Sequence, residues 1–263
     1  MTEFLNDWGI TAMVFLPLVG ALIMMITPAD QEETHKGIAL LTTLATAVIG
    51  VLLFADFDFN DSGTLQFVTD HSWIDIVNAR YTVGIDGMSL PLIALTLLVV
   101  PLVIIYSWDH IPAPGNPKSF LILILVLHTG MLGSFVAQDL VLFFVFFEVV
   151  LLPMYFMIGV WGGEKRLYAA IKFFLFTLFG SALMLVSFLA LYWLTGSQTF
   201  NMVGLAEEVA KGDISQPGAV AHLRRHVQWA SASRSRCSRS TPGCPTPTPR
   251  PQPRVRSSWP PSS

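Results

Sequence analysis

Six long apolar segments alternate with short polar connections over the first 195 residues of the chain. They lie at about residues 8–27, 37–55, 84–107, 119–137, 139–162 and 168–195. Each is close to the roughly 20 residues that an α-helix needs to cross the hydrocarbon core of a bilayer. None shows the alternating ten-residue pattern of a barrel strand, and backbone groups in lipid must be satisfied internally. The pattern predicts an all-α polytopic membrane bundle of about six transmembrane helices.

Two polar stretches, one between the second and third apolar segments and one after the sixth, have patterns of their own. TLQFVTDHSWIDIVNARYTVGIDG, residues 64–87, contains short runs of alternating apolar and polar positions, which predict a small extramembrane hairpin. NMVGLAEEVAKGDIS, residues 201–215, has a pattern that favours an amphipathic helix on the membrane surface.

Composition agrees with a membrane protein. The chain is 53% hydrophobic and only 13% charged, with a mean hydropathy of +0.60, unlike an average soluble domain. The first apolar segment follows acids instead of the basic region of a signal peptide, so it is predicted to be a retained helix.

Lysine and arginine are unevenly divided between the two sides of the predicted bundle. The odd-numbered loops carry Lys36, Lys118, Lys165 and Arg166, whereas the even-numbered side up to residue 211 carries Arg80 and Lys211. Because short cytoplasmic loops carry an excess of basic residues, this distribution places the N-terminus outside and the odd-numbered loops in the cytoplasm.

One acid lies in the middle of an apolar run. Residues 141–160 read VLFFVFFEVVLLPMYFMIGV, and Glu148 is the only charged residue among them. An ionised side chain at the bilayer centre costs about 3 kcal/mol on insertion scales, so such residues usually face a protein interior or a wet cavity. Glu148 is therefore the first functional candidate, and an interfacial or solvated acid is the alternative. Pro153 removes one backbone donor near it, although an ordinary membrane-helix proline explains that residue equally well.

Two further ionisable residues fall inside predicted helices. Lys172 lies about one turn into the sixth helix. It either extends its ammonium group to the cytoplasmic interface, or it carries protons or tunes the charge state of Glu148. His128 lies within the fourth helix and is either hydrogen-bonded to a neighbouring helix or a proton relay. Asp86 and Asp139 precede helices, where an acid suits the N-terminus, so both are predicted to be caps, with a proton carrier as the alternative for Asp86.

Several classes of chemistry have no signal in the sequence. No predicted span contains an i, i+4 pair of metal-ligating residues, and the chain has no glycine-rich phosphate loop, nucleophile elbow or cysteine cluster. We therefore expect no metal site, no cofactor bound directly and no redox centre in this chain.

The chain changes character near residue 220. All 18 acidic residues lie at or before Asp213, while eight of the 15 basic residues follow residue 219 in a segment rich in Ser, Pro and Arg. Such a segment has too little apolar surface to fold. The sequence thus predicts a membrane part at 1–219 and a disordered tail at 220–263, which is a solvated basic tail, a patch for nucleic acid or anionic lipid, or a segment out of frame.

The residues around Glu148 resemble a known family. GMLGSFVAQDLVLFFVFFEVVLLPMYFMIGVWGGEKRLYAAIKFFLFTLFGSALML and YTVGIDGMSLPLIALT are similar to chain M, the chain 4 type of antiporter-like subunit, of NADH:quinone oxidoreductase, respiratory complex I. The patterns E-x-x-x-x-P-M-Y-F-x-I-G and Y-A-A-x-K-F-F-L-F-T carry the likeness. Subunits of multisubunit cation/proton antiporters and of membrane hydrogenases share its general pattern.

The resemblance implies a function for the whole chain. It implies the N-terminal part of an antiporter-like fold that couples electron transfer to proton translocation in a bacterial inner (cell) membrane. Glu148 matches the acid that pairs with a seventh-helix lysine in a half-channel, and Lys172 matches a family position. NADH, FMN, iron–sulfur clusters and quinone are expected in partner subunits. The expected partners are the other membrane subunits of complex I and the lipid bilayer, with no nucleic acid.

Members of the family continue into a seventh helix with that lysine, followed by W-L-P-D-A-H-x-E-A-P, which this chain lacks. The codons of Thr241–Pro251, TPGCPTPTPRP, read two bases later, permit T-W-L-P-D-A-H-T-E-A. The resemblance therefore predicts a frame break near residue 220. A nonfunctional truncated product is the remaining alternative to a subunit of complex I or of an antiporter.

Overall fold

A computed structural model describes residues 2–28, 31–61, 63–74, 78–108, 111, 116–195 and 199–211. The predicted disordered tail lies outside these residues. The helices are α1 (Thr2–Ile26), α2 (Glu32–Asp56), α3 (Ser89–Tyr106), α4 (Pro117–Val136), α5 (Leu140–Trp161), α6 (Arg166–Thr195) and α7 (Met202–Lys211). The strands β1 (Gln66–Ile74) and β2 (Ala79–Ile85) form one antiparallel sheet. Helices α1 to α6 are long and apolar enough to cross a membrane, as the hydrophobic pattern predicts.

The extramembrane hairpin is also confirmed, with one correction to a neighbouring boundary. The third apolar segment was expected to start its helix at residue 84, but Gly84 and Ile85 end β2, and α3 begins at Ser89. Short apolar runs occur in both helices and strands, and pairing with β1 makes these two residues part of a strand. We call the end of the bundle that carries this sheet the hairpin side.

The sheet is held by pairing across its two strands. Asp70 lies opposite Thr82, and its carboxylate accepts a hydrogen bond from the Arg80 Nε at 2.8 Å and one from the Thr82 hydroxyl at 2.8 Å. The hydrogen bond from Arg80 is the main reason that the pKa of Asp70 lies below its usual value. This ion pair is about 40% exposed, so it contributes little to stability.

Helix α4 lies at the centre of the bundle. Its buried residues pack on α1 and α3 on one side, and its glycines face α5 on the other. A Cβ atom on Gly130 would come within 3.2 Å of the Val150 backbone nitrogen, and one on Gly133 would meet the Phe146 ring. Small residues at these positions let the two helices approach closely, which is the usual way in which membrane helices associate.

A short link between α4 and α5 joins three parts of the hairpin side. The Gln138 N–H donates to Thr82 O of β2 at 2.9 Å, and Gln138 O accepts from the Met202 N–H at 2.9 Å. The Leu140 N–H donates to Phe200 O at 3.0 Å. The hairpin, the start of α5 and the start of α7 are therefore tied to the same three residues.

The opposite end of the bundle holds the basic residues that the sequence assigns to the cytoplasmic loops. The Lys118 ammonium group donates to Thr27 O at 2.7 Å and to Met25 O at 3.2 Å, which satisfies carbonyls at the C-terminal end of α1. Lys36 lies 3.8 Å from Glu33 and over the Trp108 ring. These charges thus also anchor helix ends.

Candidate functional site

The candidate site is centred on Glu148, eight residues into α5. Its Oε1 atom is buried and has no hydrogen-bond partner among the described residues. The run of phenylalanine, valine and leucine on either side builds an uninterrupted helix, so the carboxyl group is held far from both helix ends. An unbonded carboxyl oxygen in an apolar interior is costly, and such costs are usual at functional positions.

Helix α5 continues through Pro153, which is buried two turns from the end of the helix. Because proline has no N–H, the Val149 carbonyl beside Glu148 lacks its ordinary donor four residues on. The Glu148 carboxyl group and the Val149 carbonyl group, on adjacent residues, therefore both lack an ordinary hydrogen-bond partner.

Glu148 lies on the side of α5 away from α4. Phe146 and Val150 are the α5 residues that meet the α4 glycines, and each is two residues from Glu148. Two residues correspond to about 200° around a helix. Glu148 is thus turned toward the side of α5 on which α6 packs.

His128 is fully buried in α4, and neither ring nitrogen has a hydrogen-bond partner among the described residues. It shares a buried face with Leu121, Leu125 and Leu132, which belong to the packed clusters of the α1–α4 bundle. The sequence leaves open a bonded histidine or a relay, and no interhelical hydrogen bond to His128 is present in the described part of the chain. The structure does not bring His128 together with Glu148.

Lys172 is exposed on α6, and its Nζ atom lies 6.0 Å from the centre of the Tyr168 ring. Phe174, two residues on, contacts Tyr155 of α5. Lys172 therefore points about 200° away from the face that α6 presents to α5. The structure does not bring Lys172 together with Glu148 either.

The two acids predicted to be caps do bind helix starts. The Asp139 Oδ1 atom accepts from the N–H groups of Val141 at 2.9 Å and Leu142 at 3.2 Å. Burial is the main influence on Asp139 and raises its pKa. Asp86 accepts from the Ser89 N–H at 2.7 Å and from the Ser89 hydroxyl. Burial raises the pKa of Asp86, but the hydrogen bonds from Ser89 and from the backbone of Asp86 and Met88 together lower it below its usual value.

Sequence reasoning missed the buried hydroxyl groups of α6. Thr177 and Ser181 are each 1% exposed and Ser187 is 4% exposed, inside a helix that otherwise presents bulky apolar side chains. The available signal was the spacing of Thr177 and Ser181 by four residues, which puts both on one helix face. In the described residues no group of three His, Cys, Asp or Glu could hold a metal ion.

Two family models match adjoining parts of the chain. The model for the amino terminus of NADH-ubiquinone oxidoreductase chain 4 matches residues 12–134, and the model for the transmembrane part of NADH:quinone oxidoreductase and Mrp antiporters matches residues 137–221. The NADH-quinone oxidoreductase subunit M of Rhodobacter capsulatus is 41% identical over 192 residues, which cover 72% of this chain and 36% of that protein. The chain thus spans little more than a third of this relative's length.

Solved structures show the same fold. A chain of respiratory complex I from Thermus thermophilus with bound NADH aligns with a TM-score of 0.69 and 26% identity, over 86% of this chain and 43% of that chain. A chain of the Mrp complex from Dietzia sp. DQ12-45-1b aligns with a TM-score of 0.67 and 16% identity, over 86% of this chain and 23% of that chain. With two adjoining models matched and this fold observed, the chain belongs to the chain 4, or subunit M, family of antiporter-like membrane subunits of NADH-quinone oxidoreductase.

Proposed function

We propose that this chain belongs to a proton-translocating membrane subunit of NADH:quinone oxidoreductase and that Glu148 carries the proton in its half-channel. The observation that supports this most is the buried, unbonded carboxyl oxygen of Glu148. No other acid in the described spanning helices lies more than two turns from a helix end. NADH oxidation and quinone reduction take place in partner subunits, which hold the NADH, FMN, iron–sulfur and quinone sites.

The proton chemistry needs only a change in the charge near Glu148. In apolar surroundings the neutral carboxylic acid is favoured, and a cation brought close to it favours the carboxylate. The family resemblance supplies this cation as the lysine of a seventh transmembrane helix, which is a different helix from α7 and is absent from the present sequence. Approach and withdrawal of the lysine would therefore unload and reload the proton on Glu148.

Lys172 and His128 have secondary places in this proposal. Lys172 lies six residues into α6 on an exposed face, so it becomes a buried step on the path when a further helix covers that face. His128 offers two unbonded ring nitrogens inside the α1–α4 bundle, which suits a relay reached through water.

The orientation follows from the basic residues. The hairpin side is the outer face of a bacterial inner membrane, and the end with Lys36, Lys118, Lys165 and Arg166 faces the cytoplasm.

A full-length version of the protein, with the seventh-helix lysine present, tests the role of Glu148 in the assembled complex. Glu148→Gln keeps the size but removes the titratable proton, so we expect proton uptake by reconstituted vesicles to fall at least tenfold while the complex still assembles. Glu148→Asp keeps a carboxyl group with a shorter reach and should retain part of the activity.

The matched control is Glu164→Gln, which changes an exposed acid in the turn between α5 and α6 and should leave pumping intact. Quinone reductase activity is measured in parallel to show that electron transfer is present. Pumping at the parent rate by Glu148→Gln in an assembled complex would contradict the proposal.

The second candidate is a subunit of a multisubunit cation/proton antiporter, which works without electron transfer. The likeness to a chain of the Mrp complex favours it at the level of the fold. Neighbouring genes for flavin and iron–sulfur subunits support the first function, and a cluster of small antiporter subunits supports the second.

A further inference from the structure

Two contacts fix the register in which helices α5 and α6 pack. A Cβ atom on Gly159 of α5 would lie 3.6 Å from the Ala170 Cβ atom of α6. Four residues back along α5, the Tyr155 ring lies 5.2 Å from the ring of Phe174, which is four residues forward along α6. The two helices are therefore antiparallel and stay in step over one turn.

Two more turns along the same register lead to Glu148. Glu148 precedes Tyr155 by seven residues, and Ser181 follows Phe174 by seven. Seven residues are almost two whole turns, so each residue stays on the face of its ring-bearing neighbour. Continued over these turns, the register predicts that Ser181 lies opposite Glu148 across the interface between α5 and α6, where the Glu148 Oε1 atom has no hydrogen-bond partner in the structure.

The surroundings of Ser181 agree with this placement. Ser181 is 1% exposed, and Ala170 and Thr177, which are each 1% exposed, lie on the same face of α6. Helix α6 packs chiefly on α5 among the described elements, so this buried face is the one that meets α5. The Ser181 hydroxyl group donates to Leu178 O of its own helix at 3.0 Å, and its oxygen can still accept a hydrogen bond.

We propose that Ser181 is a positioning residue for Glu148 and supplies the hydrogen-bond partner that the carboxyl group otherwise lacks. A serine hydroxyl offers one donor and two acceptor lone pairs, so it suits both protonation states of an acid. Beside the carboxylic acid, Ser181 Oγ accepts from the Glu148 O–H and keeps its bond to Leu178 O. Beside the carboxylate, the hydroxyl rotates and donates to Glu148 instead.

No covalent bond of the serine changes in either state. The proton that binds to Glu148 comes from the path and leaves by it, and Ser181 only turns its O–H group. This inference rests on the proposed function of Glu148, but the hydrogen bond can be measured without pumping.

The test is infrared spectroscopy of the 263-residue chain in lipid nanodiscs at low and high pH. The C=O stretching band of protonated Glu148 is identified as the band that Glu148→Gln removes. Because a hydrogen-bonded carboxylic acid absorbs at lower wavenumber than a free one, Ser181→Ala should move this band to higher wavenumber. Ser181→Thr keeps a hydroxyl group and should restore its position.

Ser187→Ala is the matched control, since Ser187 is also buried in α6 and donates to the Leu183 carbonyl of its own helix at 2.9 Å. It lies six residues beyond Ser181 and should leave the Glu148 band in place. The amide bands show whether each variant is folded, and Ser181→Gly provides a second chain without the hydroxyl group.

A Glu148 band that does not move in Ser181→Ala and Ser181→Gly, or that moves equally in Ser187→Ala, overturns the inference. If that happens while Glu148→Gln still stops pumping in the complex, the proposed function stands without Ser181. If the band moves as expected but Glu148→Gln pumps normally, the hydrogen bond exists and the proposed function fails.

Discussion

Asp139 and Glu148 are nine residues apart at the start and in the middle of the same helix, and their surroundings are opposite. Asp139 is fully buried, yet its oxygens accept hydrogen bonds from the backbone N–H groups of Val141, Leu142 and Arg80. Glu148 has a buried oxygen without a protein partner in the described part of the chain. Burial alone therefore does not separate a structural acid from a functional one.

The difference lies in what the backbone can offer. A helix start has free N–H groups, so an acid there is satisfied by its own element and by its neighbour β2. In the middle of α5 Pro153 has no N–H, and the other backbone N–H groups are used within the helix, so an acid must find its partner on another helix. The contrast predicts that changes at Asp139 affect folding and that changes at Glu148 affect proton transfer.

We expect the largest change to this contrast if Glu148 gains a lysine partner. A corrected reading frame after residue 220 would restore that lysine. The second family model stops at residue 221, close to the point where acids disappear from the chain. We predict that the reading frame is broken between about codons 217 and 225, because the family motif W-L-P-D-A-H can be read from the codons of Thr241–Pro251 in another frame. Resequencing this region checks it, and an intact frame that ends at Ser263 contradicts it.

A smaller effect separates the two acids by stability. Asp139→Ala removes an N-cap and leaves buried N–H groups unpaired, so it should lower the free energy of unfolding by about 2 kcal/mol. Glu148→Gln removes no hydrogen bond of Oε1 and should leave that free energy within about 0.5 kcal/mol of the parent value. Denaturant unfolding in detergent micelles measures both. Equal losses in the two variants would remove the distinction between a structural and a functional acid.

The sequence predicted well what one segment decides by itself. Helix lengths, the hairpin and both caps follow from local patterns, because apolar run length, alternation and a leading acid act within a few residues. The start of α3 was misplaced because pairing with β1 extends β2 to Ile85, and that pairing is set by residues far along the chain.

The arrangement around the candidate site depends on contacts between helices in the same way. Glu148 can be identified from the sequence alone because it is the only charged residue in the apolar run at 141–160. The direction of Lys172, away from α5, and the place that we propose for Ser181 opposite Glu148 depend on the rotation and register of two packed helices. Neither can be derived from the spacing of residues within one helix.

The smallest effect that we expect concerns another acid, Asp70 on the hairpin. Its bond to Arg80 lowers its folded pKa, so it adds stability above its unfolded pKa of about 3.9, and this stability is lost as the pH falls through the folded pKa. Burial raises the folded pKa of Asp139, so its contribution has the opposite sign and protonation favours the fold.

Hydrogen exchange of the β1 and β2 amides, measured as the pH falls below 4, should show weaker protection of the hairpin. Asp70→Asn should show the same weak protection at every pH, because it cannot form the ion pair with Arg80. Because the pair is exposed, the change should be a few-fold at most, and a hairpin whose protection does not depend on Asp70 would show that backbone pairing alone holds it.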